Sequence, residues 1–226
     1  MKRFLVLLAA CGGSPSQAAP DRAIGKLEHA DSWCVTKGAA AIGGTVTEPT
    51  VRAVALGTQG DAAALKFTYR GHTEKMRELA SGQERRQLGL KLRAKNGCNV
   101  VYVMYRMDPA PRIDVSVKSN PNATTHADCG ADGYTKVKGS SDAKLSLVPV
   151  LAAGDTHTLR AVITGDELRA FIDDRLVWHG TLPDSARELA GPAGIRSDNL
   201  AYDLVSFEAP KGGATGTAKC QTADGD

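Results

Sequence analysis

The chain has 226 residues, 42% of them hydrophobic and 23% charged, with a formal net charge of +3. These are ordinary globular values, the length suits one domain or two small ones, and the charge balance is far from that of a nucleic-acid binder. With 24 Gly and 10 Pro but only 4 Phe and 2 Trp, the composition argues against a coiled coil or a polytopic membrane protein and for a β-rich fold with many turns.

The first element in chain order is Met1-Lys2-Arg3 followed by the apolar run Phe4-Leu5-Val6-Leu7-Leu8-Ala9-Ala10. Two cations before a short apolar run make a signal-peptide pattern, too short for a bilayer span of about 20 residues. Leu8-Ala9-Ala10-Cys11 resembles the lipobox of bacterial lipoproteins. The resemblance implies that residues 1–10 are removed, that Cys11 is acylated and that its acyl chains hold the protein on a lipid bilayer. Gly12 follows the cysteine where enterobacterial lipoproteins retained at the inner membrane carry Asp, so the expected location is the outer membrane or cell surface. The competing reading is a secretory signal cut after Ser16-Gln17-Ala18. Residues 11–22, with Gly12, Gly13, Ser14, Pro15 and Pro20, read as a flexible tether.

Period-two alternation dominates the rest. Residues 51–56 and 63–69 read as strands. Leu88, Leu90 and Leu92 share one face while Gln87, Gly89, Lys91 and Arg93 share the other. A turn at Asn96-Gly97 leads into 98–106, a strand apolar on both faces and therefore central. Ile113, Val115 and Val117 alternate with Arg112, Asp114, Ser116 and Lys118, a strand with one wet face. Further strands cover 159–163, 168–172 and 175–178, with Val205 and Phe207 in a closing strand. Helical signals are few: two turns over 73–80 stopped by Gly82, and a capping-box spacing, Ser185-x-x-Glu188, before Leu189. No helix alternates regularly with the strands, so the expected fold class is all-β, an antiparallel sandwich or barrel with one or two short helices. The domain is expected over 23–208, followed by a Gly/Ala/Thr-rich tail, 209–226.

With Cys11 set aside, Cys34, Cys98, Cys129 and Cys220 remain, an even number that in an exported chain suggests disulfides. Pairing Cys98 with Cys129 and Cys34 with Cys220 would tie one local loop and then the two ends. No two cysteines have the close spacing of a zinc site. The polar loop 118–134 offers Asn120, Asn122, Asp128 and Asp132 as oxygen donors for Ca²⁺, but without EF-hand spacing, so no metal and no cofactor is assigned. Phosphate-binding and nucleophile-elbow motifs are absent, which leaves nucleotide binding without support.

Residues 155–209 resemble the C-terminal half of concanavalin A-like lectin/glucanase sandwiches, above all laminin-G-like and 3-keto-disaccharide hydrolase-type domains. The resemblance rests on His157-Thr158-Leu159-Arg160-Ala161, the strand-turn-strand from Leu168 to Trp178, and Gly191-Pro192-Ala193-Gly194-Ile195-Arg196-Ser197-Asp198. It implies a jelly-roll sandwich that binds ligands on a sheet face or loop rim. The Glu-x-Asp-x-x-Glu strand of the glucanases is missing, so their mechanism does not carry over. The expected function is accordingly a non-catalytic, glycan-binding module of the cell envelope. The alternatives are a glycoside hydrolase of the keto-disaccharide type and a structural envelope protein without a small ligand.

The candidate ligand-binding residues are Tyr105, Arg106, Lys118, Asn120, Asn122 and Tyr134. If strand 98–106 pairs with 112–118, an aromatic, two cations and two amides converge on one rim, where the cations favour an acidic glycan. The plain alternative buries Tyr105 with Val101 and Val103, and alternation cannot decide because both faces of the strand are apolar.

Overall fold

A computed structural model of the chain describes residues 26–30, 32–141 and 145–212. The apolar run 4–10, Cys11, the stretch 12–22 read as a tether, Cys220 and the tail from residue 213 onward lie outside the described residues. The strands are β1 (Leu27–His29), β2 (Trp33–Lys37), β3 (Thr45–Val46), β4 (Thr50–Ala55), β5 (Ala62–His72), β6 (Gln87–Asn96), β7 (Asn99–Arg106), β8 (Arg112–Lys118), β9 (Tyr134–Val137), β10 (Thr156–Thr164), β11 (Glu167–Ile172), β12 (Arg175–Thr181), β13 (Gly194–Asp198) and β14 (Leu200–Pro210). They form two antiparallel sheets. One has the order β1-β14-β5-β10-β11-β12 with β3 beside β14, and the other has the order β2-β4-β13-β6-β7-β8-β9. This is the jelly-roll sandwich, and 98–106 is an interior strand of the second sheet as its two apolar faces required.

The second sheet is built row by row. Val35, Ala53, Ile195, Leu90, Val103, Val115 and Val137 lie opposite one another across all seven strands, and all belong to or pack against the core. One residue along, every strand presents its other face. Because side chains alternate with period two, Leu88, Leu90 and Leu92 commit Gln87, Gly89 and Lys91 to the outside. The same rule assigns Val101, Val103 and Tyr105 inward and Tyr102 and Met104 outward.

Tyr105 is therefore a core residue, wholly buried, its ring edge-on to Phe67 across the sandwich. Its hydroxyl donates to the Pro149 carbonyl, and burial pushes its pKa up. This removes Tyr105 from the candidate rim.

Three local expectations are corrected. Residues 73–80 form no helix: Met76 and Leu79 are only half-buried and Ala80 is exposed, and the backbone is instead held by Asn199, whose side-chain amide donates to Arg77 O (2.9 Å) and Arg85 O (3.0 Å) and accepts from Arg77 N–H (2.7 Å). Strand β6 runs through Asn96 because Arg93 adopts a positive φ of 47° at an irregularity between Leu92 and Asn96, which moves the turn to Gly97-Cys98. The helical turn near Ser185 is a single 3₁₀ turn, Asp184–Ala186, entered from Pro183. A bulge between Leu204 and Ser206 also breaks the alternation of β14, so Val205 is exposed while Phe207 is buried.

Cys98 and Cys129 form the expected disulfide, with a Cα–Cα distance of 5.9 Å. Its sequence separation of 31 residues corresponds to about 3–4 kcal/mol of stabilisation in the chain-entropy picture. Cys34 is also disulfide-bonded, to a partner outside the described residues. Tyr105→Ala is expected to destabilise the domain by about 3–5 kcal/mol, as for other core aromatics, whereas Tyr105→Phe loses only a hydrogen bond, about 1 kcal/mol; equilibrium denaturation of the three proteins checks both.

Candidate functional site

The outward face of the second sheet carries a cleft of about 840 Å³, within the range of small-ligand sites. Strands β4, β6, β7, β8, β9 and β13 supply its floor, and residues 77–81 with 130–131 supply its rims.

The floor is anchored by one carboxylate. Asp198 is 1% exposed and accepts from Arg52 Nη2 (2.6 Å), Gln87 Nε2 (2.6 Å) and Arg196 Nε (3.1 Å). These partners come from β4, β6 and β13 itself. Arg52, 2% exposed, also donates to the carbonyls of Val51 (2.9 Å) and Ser197 (2.8 Å). Burial alone would raise the pKa of Asp198. The two guanidiniums, helped by the Gln87 amide, overcome that effect and hold it well below the usual carboxylate range.

Arg196 then reaches over the ring of Tyr102, 4.9 Å from its centre, a cation–π contact in a largely dry setting. Tyr102 stacks on Tyr134 at 6.0 Å between centroids and an interplanar angle of 22°. Arg196 Nη1 donates to the Tyr134 hydroxyl (3.3 Å). Gly89 lies between Arg196 and Met104 in the outward row, and a Cβ there would come within 2.1 Å of the Val103 carbonyl oxygen; this floor position takes no side chain. At the far end of β7, Asp114 faces Arg106 (2.9 Å), Arg112 (3.3 Å) and Lys136 (3.4 Å). Burial opposes its ionisation, but the Arg106 hydrogen bond and the charges of Arg112, Lys136 and Arg106 outweigh burial and lower its pKa.

The six predicted site residues separate. Arg106 and Tyr134 line the cleft. Lys118 is buried; its ammonium donates to the carbonyls of Gly97 (3.2 Å) and Gly130 (2.8 Å) and lies 5.2 Å from the centre of the Tyr134 ring. It props the loop and the ring from behind. Asn120 donates to the carbonyls of Cys98 (3.2 Å) and Asp132 (3.0 Å) and braces the same loop. Asn122 is exposed on a turn outside the cleft. The expected convergence of Arg106 with Lys118 fails because register sets Val100 opposite Lys118 and Arg106 opposite Arg112. Six residues of strand, about 20 Å, separate those pairs.

The loop 118–134 also holds the helical turn α1 (His126–Cys129), entered through Thr125, whose N–H (3.1 Å) and hydroxyl (2.8 Å) both donate to Asp128. Thr125-x-x-Asp128 was a legible capping signal. It engages Asp128 locally, as Asn120 is engaged, and no cluster of three or more metal-ligating His, Cys, Asp or Glu occurs among the described residues.

Sequence reasoning passed over Arg52, Arg85, Tyr102, Lys136, Arg196 and Asp198. A signal existed for three of them: Arg52 interrupts Val51-Arg52-Ala53-Val54, and Ile195-Arg196-Ser197-Asp198 alternates in the manner of a strand with one polar face.

No protein-family model matches the chain, and none of the curated proteins does. Solved structures do. A carbohydrate-binding module, CBM66, from Bacillus subtilis superposes with a TM-score of 0.52 at 13% identity, covering 78% of this chain and 95% of that one. A tetrameric galectin from the ball sponge Cinachyrella sp. gives 0.45 at 11% identity over 72% and 99% of the two chains. Domain 4 of an extracellular GH43 arabinanase from Geobacillus stearothermophilus, solved in complex with arabinotriose, gives 0.41 at 11% over 88% and 82%. The likeness to the first is one of fold: this chain is a lectin-like β-sandwich.

The Asp198 cluster predicts an acid dependence of stability. Its folded pKa lies below the unfolded value of about 3.9, so its contribution is complete above about pH 4 and is lost as pH falls toward the folded pKa. Asp198→Asn, which leaves Arg52 buried without its counter-charge, is expected to cost about 3–5 kcal/mol at neutral pH. The gap from the wild type should narrow as pH drops below about 4, as read from urea midpoints across pH.

Proposed function

We propose that this chain is a non-catalytic saccharide-binding module and that the cleft on the second sheet is its site. The observation that carries the proposal is the Tyr102–Tyr134 stack. Tyr134 is 42% exposed, an open aromatic face at the wall of a cleft whose other groups are mainly hydrogen-bond donors. An aromatic face packs on the C–H face of a sugar ring while donors and acceptors beside it take the hydroxyls. The sandwich shared with a carbohydrate-binding module is a compatible scaffold, although a fold hosts many functions.

Binding is favoured over hydrolysis by the state of Asp114. Glycoside cleavage needs a carboxylic acid that holds its proton near neutral pH, and Asp114 is kept ionised by Arg106, Arg112 and Lys136. We further propose that the module stands on a bacterial envelope, held by acyl chains on Cys11 and lifted off the lipid by residues 12–22. Support comes from the order of charge, apolar run and small residues before that cysteine.

Tyr134→Ala is expected to weaken saccharide binding at least tenfold on a glycan array or in calorimetry while shifting the melting temperature little, because its ring is an outer layer and not core. Undiminished binding would remove the site. Cys11→Ser in a bacterial host should abolish labelled-palmitate incorporation and release the protein from the membrane fraction; equal labelling in both proteins would reject the anchor.

A further inference from the structure

The cleft concentrates positive charge. Its lining holds Lys37, Arg52, Arg77, Arg85, Arg106, Lys136 and Arg196 against the carboxylates of Glu78 and Asp114, in a chain whose whole net charge is only +3. Two carboxylates on this face are already shared. Asp198 serves Arg52 and Arg196, and Asp114 serves Arg106, Arg112 and Lys136. Arg85 is half-buried on the same face, and its guanidinium donates to the neutral amide oxygen of Gln83 through Nε (2.9 Å) and Nη2 (2.6 Å). Burial and repulsion from Arg106 and Arg196 lower its pKa, against a smaller pull from Asp114 and Asp198. Among the described residues, the cleft lining thus holds more cations than carboxylates.

Resting on the saccharide reading, we propose that the saccharide is acidic: its ring lies on Tyr134, and its anionic group sits between Arg85 and Arg106. The hydroxyls of a neutral sugar can accept hydrogen bonds from these guanidiniums but bring no counter-charge, so the cations would lose water and stay uncompensated. A carboxylate or sulfate instead supplies charge-assisted bonds in the planar fork geometry that guanidinium favours. The anion would complete the compensation that Asp114 and Asp198 provide only in part. Uronate and sulfate esters share this chemistry.

The test uses the full chain on an array of matched neutral, uronate, methyl-esterified uronate and sulfated oligosaccharides, followed by calorimetry on the binders. Acidic members should bind at least tenfold more tightly than their neutral or esterified counterparts, with an affinity that falls as salt rises. The uronate and sulfate arms identify the acid group. Arg85→Gln should remove most of that preference at an unchanged melting temperature, and Arg85→Lys should restore part of it. Neutral or esterified members binding as tightly as acidic ones, with Tyr134→Ala still weakening them, would overturn the acidic ligand and leave the saccharide site standing. Binding to no member would overturn both, and a preference for acids unaffected by Arg85→Gln would overturn the placement of the anionic group.

Discussion

A carboxylate as dry as that of Asp198 persists only where the protein supplies what water would have given it. Isolated burial of such a charge is prohibitive, and a single ion pair seldom repays it. Here two guanidiniums and an amide from three strands converge on it. The arrangement pins β4, β13 and β6 in register on their polar face, while the row from Val35 to Val137 pins them on the apolar one. It also fixes Arg196, which must hold Asp198 with Nε and so extends its remaining nitrogens over Tyr102 and toward Tyr134. The aromatic platform is oriented by a group that no ligand would touch.

The platform's outer half depends on a second assembly. Tyr134 begins β9 at the end of a long polar loop, and a loop of that length would not hold a ring in place unaided. The Cys98–Cys129 bond ties its middle to the β6–β7 turn, and Lys118 fills the space beneath with two carbonyl contacts and a cation against the ring. Asn120 closes the remaining backbone groups. Lys118 and Asn120, expected as ligand contacts, are instead supports of the Tyr134 ring and its loop. Removing solvent from them is tolerable because backbone carbonyls satisfy each donor.

Electrostatically the site is asymmetric. Asp114 and Asp198 are each outnumbered by cations and held ionised, which leaves donors and positive charge prominent in the cleft lining. Acid–base catalysis uses a pair of groups whose pKa values are pushed apart across neutrality, whereas Asp114 and Asp198 are both shifted downward.

Much of this was legible in the sequence. Alternation in 87–93 and 112–118, turn residues and the even cysteine count led to an antiparallel sandwich, to most of its strands and to the Cys98–Cys129 bond, because a strand's two faces and a turn's backbone needs are local properties. Arg106 and Tyr134, which line the cleft, stood out for the same reason, as polar or aromatic residues at strand ends. What local pattern does not contain is which of two apolar faces meets the other sheet. Tyr105 and Tyr102 are equivalent in sequence, and only the packing of Phe67 from the opposite sheet sends one inward and leaves the other to stack with Tyr134. Nor does it contain register across distant strands, which separated Arg106 from Lys118 and joined Arg52, Gln87 and Asp198 over more than a hundred residues of chain. Local pattern was enough for most of the strands and for the loop's disulfide; the order of the sheets, the charged floor and the aromatic wall of the cleft were decided by tertiary structure, because a shared carboxylate exists only once strands far apart in the chain lie side by side.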